Sequence, residues 1–444
     1  MKFPAYPKYK PSGVEWLGDV PEKWTPIRLK WIATRYAGGS PDRSNDAYWE
    51  DGSIPWINSG EVNQRLITEP SAFITPEGYA NSSARWVPAG ALVLALAGQG
   101  KTKGMVAQTA IRTTCNQSMA AIVPNDLGTA RYYYWLLVSQ YESIRNMAGG
   151  EQRDGLNLDI LGEIPCFRFD RAEQKAIGDF LDAQTARVDA LLAKRRALIE
   201  KLSEKRAALI SRTVTRGLNP NIKLKPSGIE WLGDIAHNWD TSRIKFLVST
   251  PVTDGPHSTP EIFDEGIPFV SAEAINNLKI NFDKIRGHIT PEDHKEYSKK
   301  YKPKRGDIYM VKSGATTGRV AMVETDMEFN IWSPLAAIRC NSKLVDRNFL
   351  FLYMQSREFQ TAVELSWSYG TQQNIGMGVI QNLEVPLPPL AEQIAIAEFL
   401  DRETAKIDRM VEKVEAAIGK LQEYRTALIT AAVTGKIDVR KAAA

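Results

Sequence analysis

The words KPSGVEWLGDV, from Lys10 to Val20, and KPSGIEWLGDI, from Lys225 to Ile235, occur in one chain of 444 residues. A chain that repeats itself in this way must build the same unit twice, and every other feature has to fit that repeat. The match runs on at constant offset through Trp24 with Trp239, Arg28 with Arg243 and Lys30 with Lys245. A longer echo pairs AEQKAIGDFLDAQTARVDALLAKRRALIEKLSEKRAALISRTVT, from Ala172, with AEQIAIAEFLDRETAKIDRMVEKVEAAIGKLQEYRTALITAAVT, from Ala391. Each half is therefore a domain followed by this second element.

The length is too great for a single core, and 43% hydrophobic with 24% charged residues suits a globular protein with a core in each half. Between the echoes the halves agree only in fragments, such as IPWINSGEV at Ile54 with IPFVSAEAI at Ile267. The runs GALVLALAG, GMVAQTA and SMAAIVP, and their counterparts GDIYMVKSG, GRVAMVE and PLAAIRC, predict strands bounded by glycine and proline. ARYYYWLLVSQYESIRNMA and DRNFLFLYMQSREFQTAVE each predict a helix closing the sheet. The fold class is α+β. Residues 1–168 and 217–387 form two similar mixed α/β domains, 169–216 and 388–436 two long helices, and 437–444 a tail.

The helices follow from spacing. Val188, Leu192, Arg195, Ile199, Leu202, Arg206 and Leu209 lie alternately four and three apart, and Ile407, Val411, Val414, Ile418, Leu421, Arg425 and Leu428 repeat the heptad seam. A helix of about 40 residues is roughly 60 Å long, and one apolar stripe on it cannot stay in water. The economical solution is that the two seams bury each other, antiparallel, because two copies of one unit pack about a twofold axis. The alternative is that each helix meets a helix of another protein.

Chemistry is harder to find. The formal charge of +4 permits nucleic acid without demanding it. Cys115, Cys166 and Cys340 are odd in number and far apart, which suits a reducing cytoplasm. The longest apolar stretch, ALVLALA, is too short to span a bilayer, so no membrane role is expected. ALAGQGKT, Ala95 to Thr102, imitates a phosphate loop, but strand-like MVAQTAI follows where a helix is needed. His237, His257, His288 and His294 have no metal-binding spacing. No catalytic group recurs in both halves, so the chain reads as a recognition protein or scaffold rather than an enzyme, with no catalytic or metal residues assigned.

Domain and helix in alternation, with EQxAIxxFLD opening each helix and PPLAEQIAIAEFLD at Pro388 to Asp401, resemble the specificity subunit of type I restriction-modification enzymes over almost the whole chain. The first half departs from the pattern, with CFRFDRAEQ where the second has PLPPLAEQ. The resemblance implies two target recognition domains, each reading half of a bipartite, asymmetric double-stranded DNA target. They are joined by an antiparallel coiled coil with pseudo-twofold symmetry that sets the unread spacer. It implies two modification subunits using S-adenosylmethionine for adenine methylation, and restriction subunits using ATP and Mg for translocation and cleavage, with no cofactor in this chain. The competing reading is a coiled-coil scaffold with two protein-binding domains.

On that basis the base-reading candidates are polar residues at turns the halves do not share. They are Lys101, Lys103, Arg112 and Gln117 in the first, and Lys312, Thr316, Thr317 and Arg319 in the second, with Gln152, Arg153, Gln372, Gln373 and Asn374 in a second polar loop. Residues 194–216 hold eight basic and two acidic side chains, either a phosphate-following face or a solvated one. The helix starts, matching the family's repeated motif, are the candidate partner sites: Glu173, Gln174, Phe180, Leu181 and Asp182, and Glu392, Gln393, Phe399, Leu400 and Asp401. The alternative for these is capping and packing of each helix onto its own domain. Trp16, Trp24, Trp231 and Trp239 read as core anchors.

Overall fold

The computed structural model describes residues 3–14, 17–98, 101–147, 155–367 and 373–440. They divide into two compact units, one of Met1–Arg195 with Ala416–Ala444 and one of Arg196–Glu415. The division falls inside both long helices, Arg171–Arg216 and Leu390–Val433, so each unit holds the start of one helix and the end of the other.

The repeated opening words are a repeated hairpin. In unit 1 Tyr9–Pro11 pairs antiparallel with Asp19–Pro21, and in unit 2 Leu224–Pro226 pairs with Asp234–Ala236. Both turns need a left-handed backbone before the second strand, which glycine supplies at Gly18 (φ 63°) and Gly233 (φ 65°). The hairpins deliver Val20 and Ile235, then Trp24 and Trp239, into the two cores. Each indole N–H donates to the start of a long helix, Trp24 Nε1 to Glu173 at 3.0 Å and Trp239 Nε1 to Glu392 at 3.0 Å. Trp231 is half-buried against its core, and Trp16 lies outside the described residues.

Unit 1 carries a five-stranded sheet in the order Ala33–Ala37, Met119–Pro124, Leu92–Ala95, Val106–Thr109, Leu66–Ile67, in which only the last pair is parallel. Unit 2 repeats four of these strands: Thr253–Asp254, Leu335–Ile338, Ile308–Val311, Val320–Met322. Both faces of the sheet are covered. Leu92 and Leu94 enter the core shared with the helices, while Val93 and Ala95 enter a second core opposite; Ile308 and Met310 divide from Tyr309 and Val311 in the same way. That is why these strands read as nearly continuous apolar runs. The single helix expected after each sheet is two. Ala130–Ser139 is followed by Tyr141–Asn146, and Arg347–Tyr353 by Arg357–Leu365, where Ser356 accepts a hydrogen bond from the Phe359 N–H and starts a new helix.

Within each unit the two helix segments run antiparallel. In unit 1 Glu173 lies 3.6 Å from Arg440 and Asp189 3.1 Å from Arg425, so the first helix ascends as the second descends. In unit 2 Arg206 meets Asp408 at 3.1 Å, and Gly217 lies beside Glu392. The seam residues are buried or half-buried except Arg195, which extends into solvent. The helix ends supply core: Leu428, Ile429, Ala432 and Val433 to unit 1, Ile210 and Val214 to unit 2. At about 1.5–3 kcal/mol per large buried side chain, these ends are integral to the domains they enter. The expected tail is likewise part of unit 1: Val439 is in its core and the Asp438 N–H donates to Pro4 O at 2.7 Å.

Two equivalent glycines, Gly38 and Gly255, let the chain leave the first sheet strand beneath another backbone. A Cβ at Gly38 would lie 2.1 Å from Cys115 O, and one at Gly255 1.8 Å from Ile331 O. Because the obstacle is main chain, Gly38→Ala and Gly255→Ala are each expected to cost at least about 1–3 kcal/mol. Gly376→Ala, where a Cβ meets nothing within 4 Å, is the control. Thermal unfolding of the three variants checks this, and unchanged midpoints for the first two contradict it.

Candidate nucleic-acid interface

Beyond Gly38 the chain forms a loop pinned by two indoles. Trp56 Nε1 donates to Gly39 O at 3.1 Å and Trp49 Nε1 to Asp42 O at 3.0 Å. The Asp42 carboxylate accepts from the Ser44 N–H and hydroxyl, which hold its pKa below the usual value. The Arg43 guanidinium sits over both indoles, 5.6 Å from the centre of Trp56 and 5.8 Å from that of Trp49. Nearby, the Ser40 hydroxyl donates to Gln117 Oε1 at 2.6 Å. Arg112 stacks over Trp86 at 4.1 Å and Arg85 over Tyr36 at 4.3 Å. All three arginines are exposed and none has an ion-pair partner among the described residues. A guanidinium held near an aromatic ring by cation–π attraction has less freedom to lose on binding a base edge or phosphate.

Unit 2 places different groups on the same scaffold. Beside Gly255 the buried Asp254 is paired with Lys300 at 2.6 Å, His257 at 3.2 Å and Lys312 at 3.3 Å. Burial raises its pKa, but the two lysines outweigh this and lower it. Arg286 is exposed, lies over Trp332 at 4.1 Å and has no ion-pair partner among the described residues. Arg43 and Arg286 escaped the sequence reading because each depends on an aromatic partner elsewhere in the chain; an arginine near a glycine-bounded loop was the only local signal.

The structure redistributes the sequence-predicted candidates. Lys101 is exposed beside a cleft of about 300 Å³ that also contains Arg65, Tyr141 and Arg425. Arg319 and Thr317 line the corresponding cleft of unit 2, about 510 Å³, with Arg206. Thr316 is half-buried, and the Thr317 hydroxyl donates to Gly314 O at 2.7 Å, closing its own turn. Gln373 and Asn374 are exposed and stitched to this hairpin, through Gly314 N–H to Gln373 O at 3.0 Å and the Ser313–Asn374 bridge. Two candidates are corrected: Lys103 is 8% exposed and Lys312 9%, the latter spent on Asp254, because both lie where the hairpin enters the sheet. Gln152, Arg153 and Gln372 lie outside the described residues. Seven of the eight basic residues in 194–216 are exposed; Arg206 is half-buried against Asp408.

The ALAGQGKT stretch belongs to a hairpin, since Leu92–Ala95 pairs antiparallel with Val106–Thr109 and no helix follows. Among the described residues no histidine, cysteine or carboxylate cluster is arranged to hold a metal. Cys115 and Cys340 are unpaired thiols whose pKa values burial pushes up to about 12.

Most candidate partner residues are committed to the chain's own interior. Glu173 accepts from Tyr6 and Trp24, Gln174 donates to Tyr133, and Phe180 and Leu181 are core. Gln393 accepts from the Asp346 N–H and donates to Pro388 O, and Leu400 is core. Asp182 holds Arg131 and Trp135, Glu392 holds Trp239, and Phe399 is half-buried. Asp401 is exposed, with its pKa raised by partial burial and by Asp346. The helix starts are thus built chiefly to fasten each helix to its domain.

A family model of the type I restriction modification DNA specificity domain matches residues 21–201 and again 238–418. The specificity subunit of the type I restriction enzyme EcoBI from Escherichia coli is 23% identical over 436 residues, covering 97% of this chain and 89% of that protein. The MjaVIII specificity subunit from Methanocaldococcus jannaschii is 21% identical over 430 residues, covering 95% and 94%. In fold, the chain is similar to one solved in a study of complex assembly and conformational transition of the type I R-M system. Its TM-score is 0.71 at 17% identity, covering 94% of this chain and 99% of that one. The HsdS subunit from Thermoanaerobacter tengcongensis follows with a TM-score of 0.52 at 16% identity, covering 94% and 98%. Two copies of one domain, each pairing a repeated scaffold with its own set of exposed arginines and polar turns, are thus matched by two copies of the family's domain, and the chain belongs to the type I restriction-modification specificity subunits.

Proposed function

We propose that the chain is the non-catalytic reader of its complex, with unit 1 and unit 2 each reading one half of an asymmetric, bipartite DNA target. Arg43 and Arg112 in unit 1, and Arg286 and Arg319 in unit 2, carry the base contacts. The supporting observation is the contrast within the repeat: the hairpins, sheets and helices agree between units, whereas the exposed groups around Gly38 and Gly255 do not. Two modification subunits, one per half, bring S-adenosylmethionine and methylate adenine; restriction subunits bring ATP and Mg for cleavage. Among the described residues no helix is long and apolar enough to cross a membrane.

Methylation-aware sequencing of DNA from cells expressing this chain with its modification subunit tests the reading. A split motif with modified adenine in each half, absent from cells lacking this chain, is the expected result. No new methylation from an intact complex overturns it in favour of a protein-binding scaffold.

A further inference from the structure

The repeat contains a surface whose retention the fold does not explain. The short turns LKWI, Leu29 to Ile32, and IKFL, Ile244 to Leu247, are equivalent, and in both the first and fourth residues are buried. On a helical turn positions i and i+3 share a face, so the third residue points away. It is Trp31 in unit 1, 66% exposed, and Phe246 in unit 2, 62% exposed. A large aromatic ring left in water adds nothing to the core and marks a contact surface.

The surroundings are duplicated as well. Lys30 lies over the Trp31 ring at 5.7 Å and Lys245 over Phe246 at 5.0 Å. Arg28 Nη1 donates to Glu163 O at 2.8 Å, and Arg243 Nε to Glu384 Oε1 at 3.0 Å. Just after each ring a carbonyl accepts an asparagine N–H, Ile32 O from Asn125 and Leu247 O from Asn341. The loops so anchored carry Leu127, 42% exposed, and Leu344, 45% exposed. A base-reading surface differs between units that read different half-sites. A surface kept the same in both serves one ligand twice.

We propose that Trp31 with Leu127, and Phe246 with Leu344, are two equivalent docking sites, each taking an apolar surface of one modification subunit. This rests on the reading above, in which two such subunits join the chain. The rim is polar and largely paired within each unit, Arg28 and Lys30 with Glu163 and Arg243 with Glu384, and a central ring inside a polar rim is the usual anatomy of a protein interface.

The test is native mass spectrometry of the full chain co-expressed with its modification subunit, as wild type, Trp31→Ala, Phe246→Ala and the double variant. Two, one, one and no modification subunits per chain are expected, each lost site weakened about 30-fold or more. Unfolding midpoints should stay unchanged, since both side chains are mostly exposed. A double variant that keeps two subunits overturns the docking sites, as does loss of DNA affinity with both subunits retained, or a free chain whose self-association the variants abolish. A wild-type chain that takes up no modification subunit instead sinks the assembly reading on which the sites rest.

Discussion

Asp307→Ala is expected to destabilise unit 2 by about 3–5 kcal/mol, as for breaking a buried ion pair by removing one partner. Asp307 is almost fully buried and accepts two hydrogen bonds at 2.7 Å from Arg339, one from the Lys304 N–H at 2.9 Å and one from the Tyr301 hydroxyl. Alanine leaves the half-buried guanidinium without its two-point counter-charge. At the equivalent places in the first half stand Ala91 and Val123, so the same sheet is built there with no ion pair. The double variant Asp307→Ala with Arg339→Val copies that solution, removes the stranded charge and is expected to recover much of the loss. Urea unfolding of Asp307→Ala, Arg339→Val and the double variant decides the matter: a double variant as damaged as the sum of the two singles contradicts the account.

The second large effect is on recognition. Arg43→Ala and Arg286→Ala are each expected to weaken binding to the cognate sequence by about 10- to 100-fold, as for removal of one bidentate base contact, and to relax sequence preference in one half-site only. Replacing Lys201 and Lys205 of the exposed basic helix face should weaken binding uniformly across sequences and lower the salt slope by roughly one for each phosphate left unneutralised. Binding titrations at several salt concentrations, on the cognate site and on sites altered in one half, separate the two. An Arg43 or Arg286 variant that loses affinity equally for all sequences is a phosphate contact, and its role as a base reader is then wrong.

The repeat, the strands and the long helices were legible because each leaves a periodic signature in neighbouring residues. The heptad at Val188 to Leu209 is visible locally since one turn of helix predicts the next. The break at Ser356 was not, because a capping hydroxyl competes with helix continuation only once its own geometry is set. The site was less legible than the fold. Lys103 and Lys312 look like surface readers in sequence and are buried where a hairpin enters a sheet. Glu173 and Gln393 look like an exposed motif and are interior hydrogen-bonding posts for groups distant in the chain.

The amino-acid order alone established the duplication and its consequences: two similar domains, two seams, and a family whose motif opens each helix. Repetition and periodicity are one-dimensional properties, readable without knowing what touches what. The antiparallel seams already implied that each helix runs towards the other domain; tertiary packing was needed to show that the helix ends are core residues there and that residues 437–440 belong with a core. It was needed too for the arginines that lie over aromatic rings with no ion-pair partner among the described residues. Those outcomes depend on contacts between residues far apart in the chain, and side-chain charge and burial are settled by such contacts rather than by sequence neighbours.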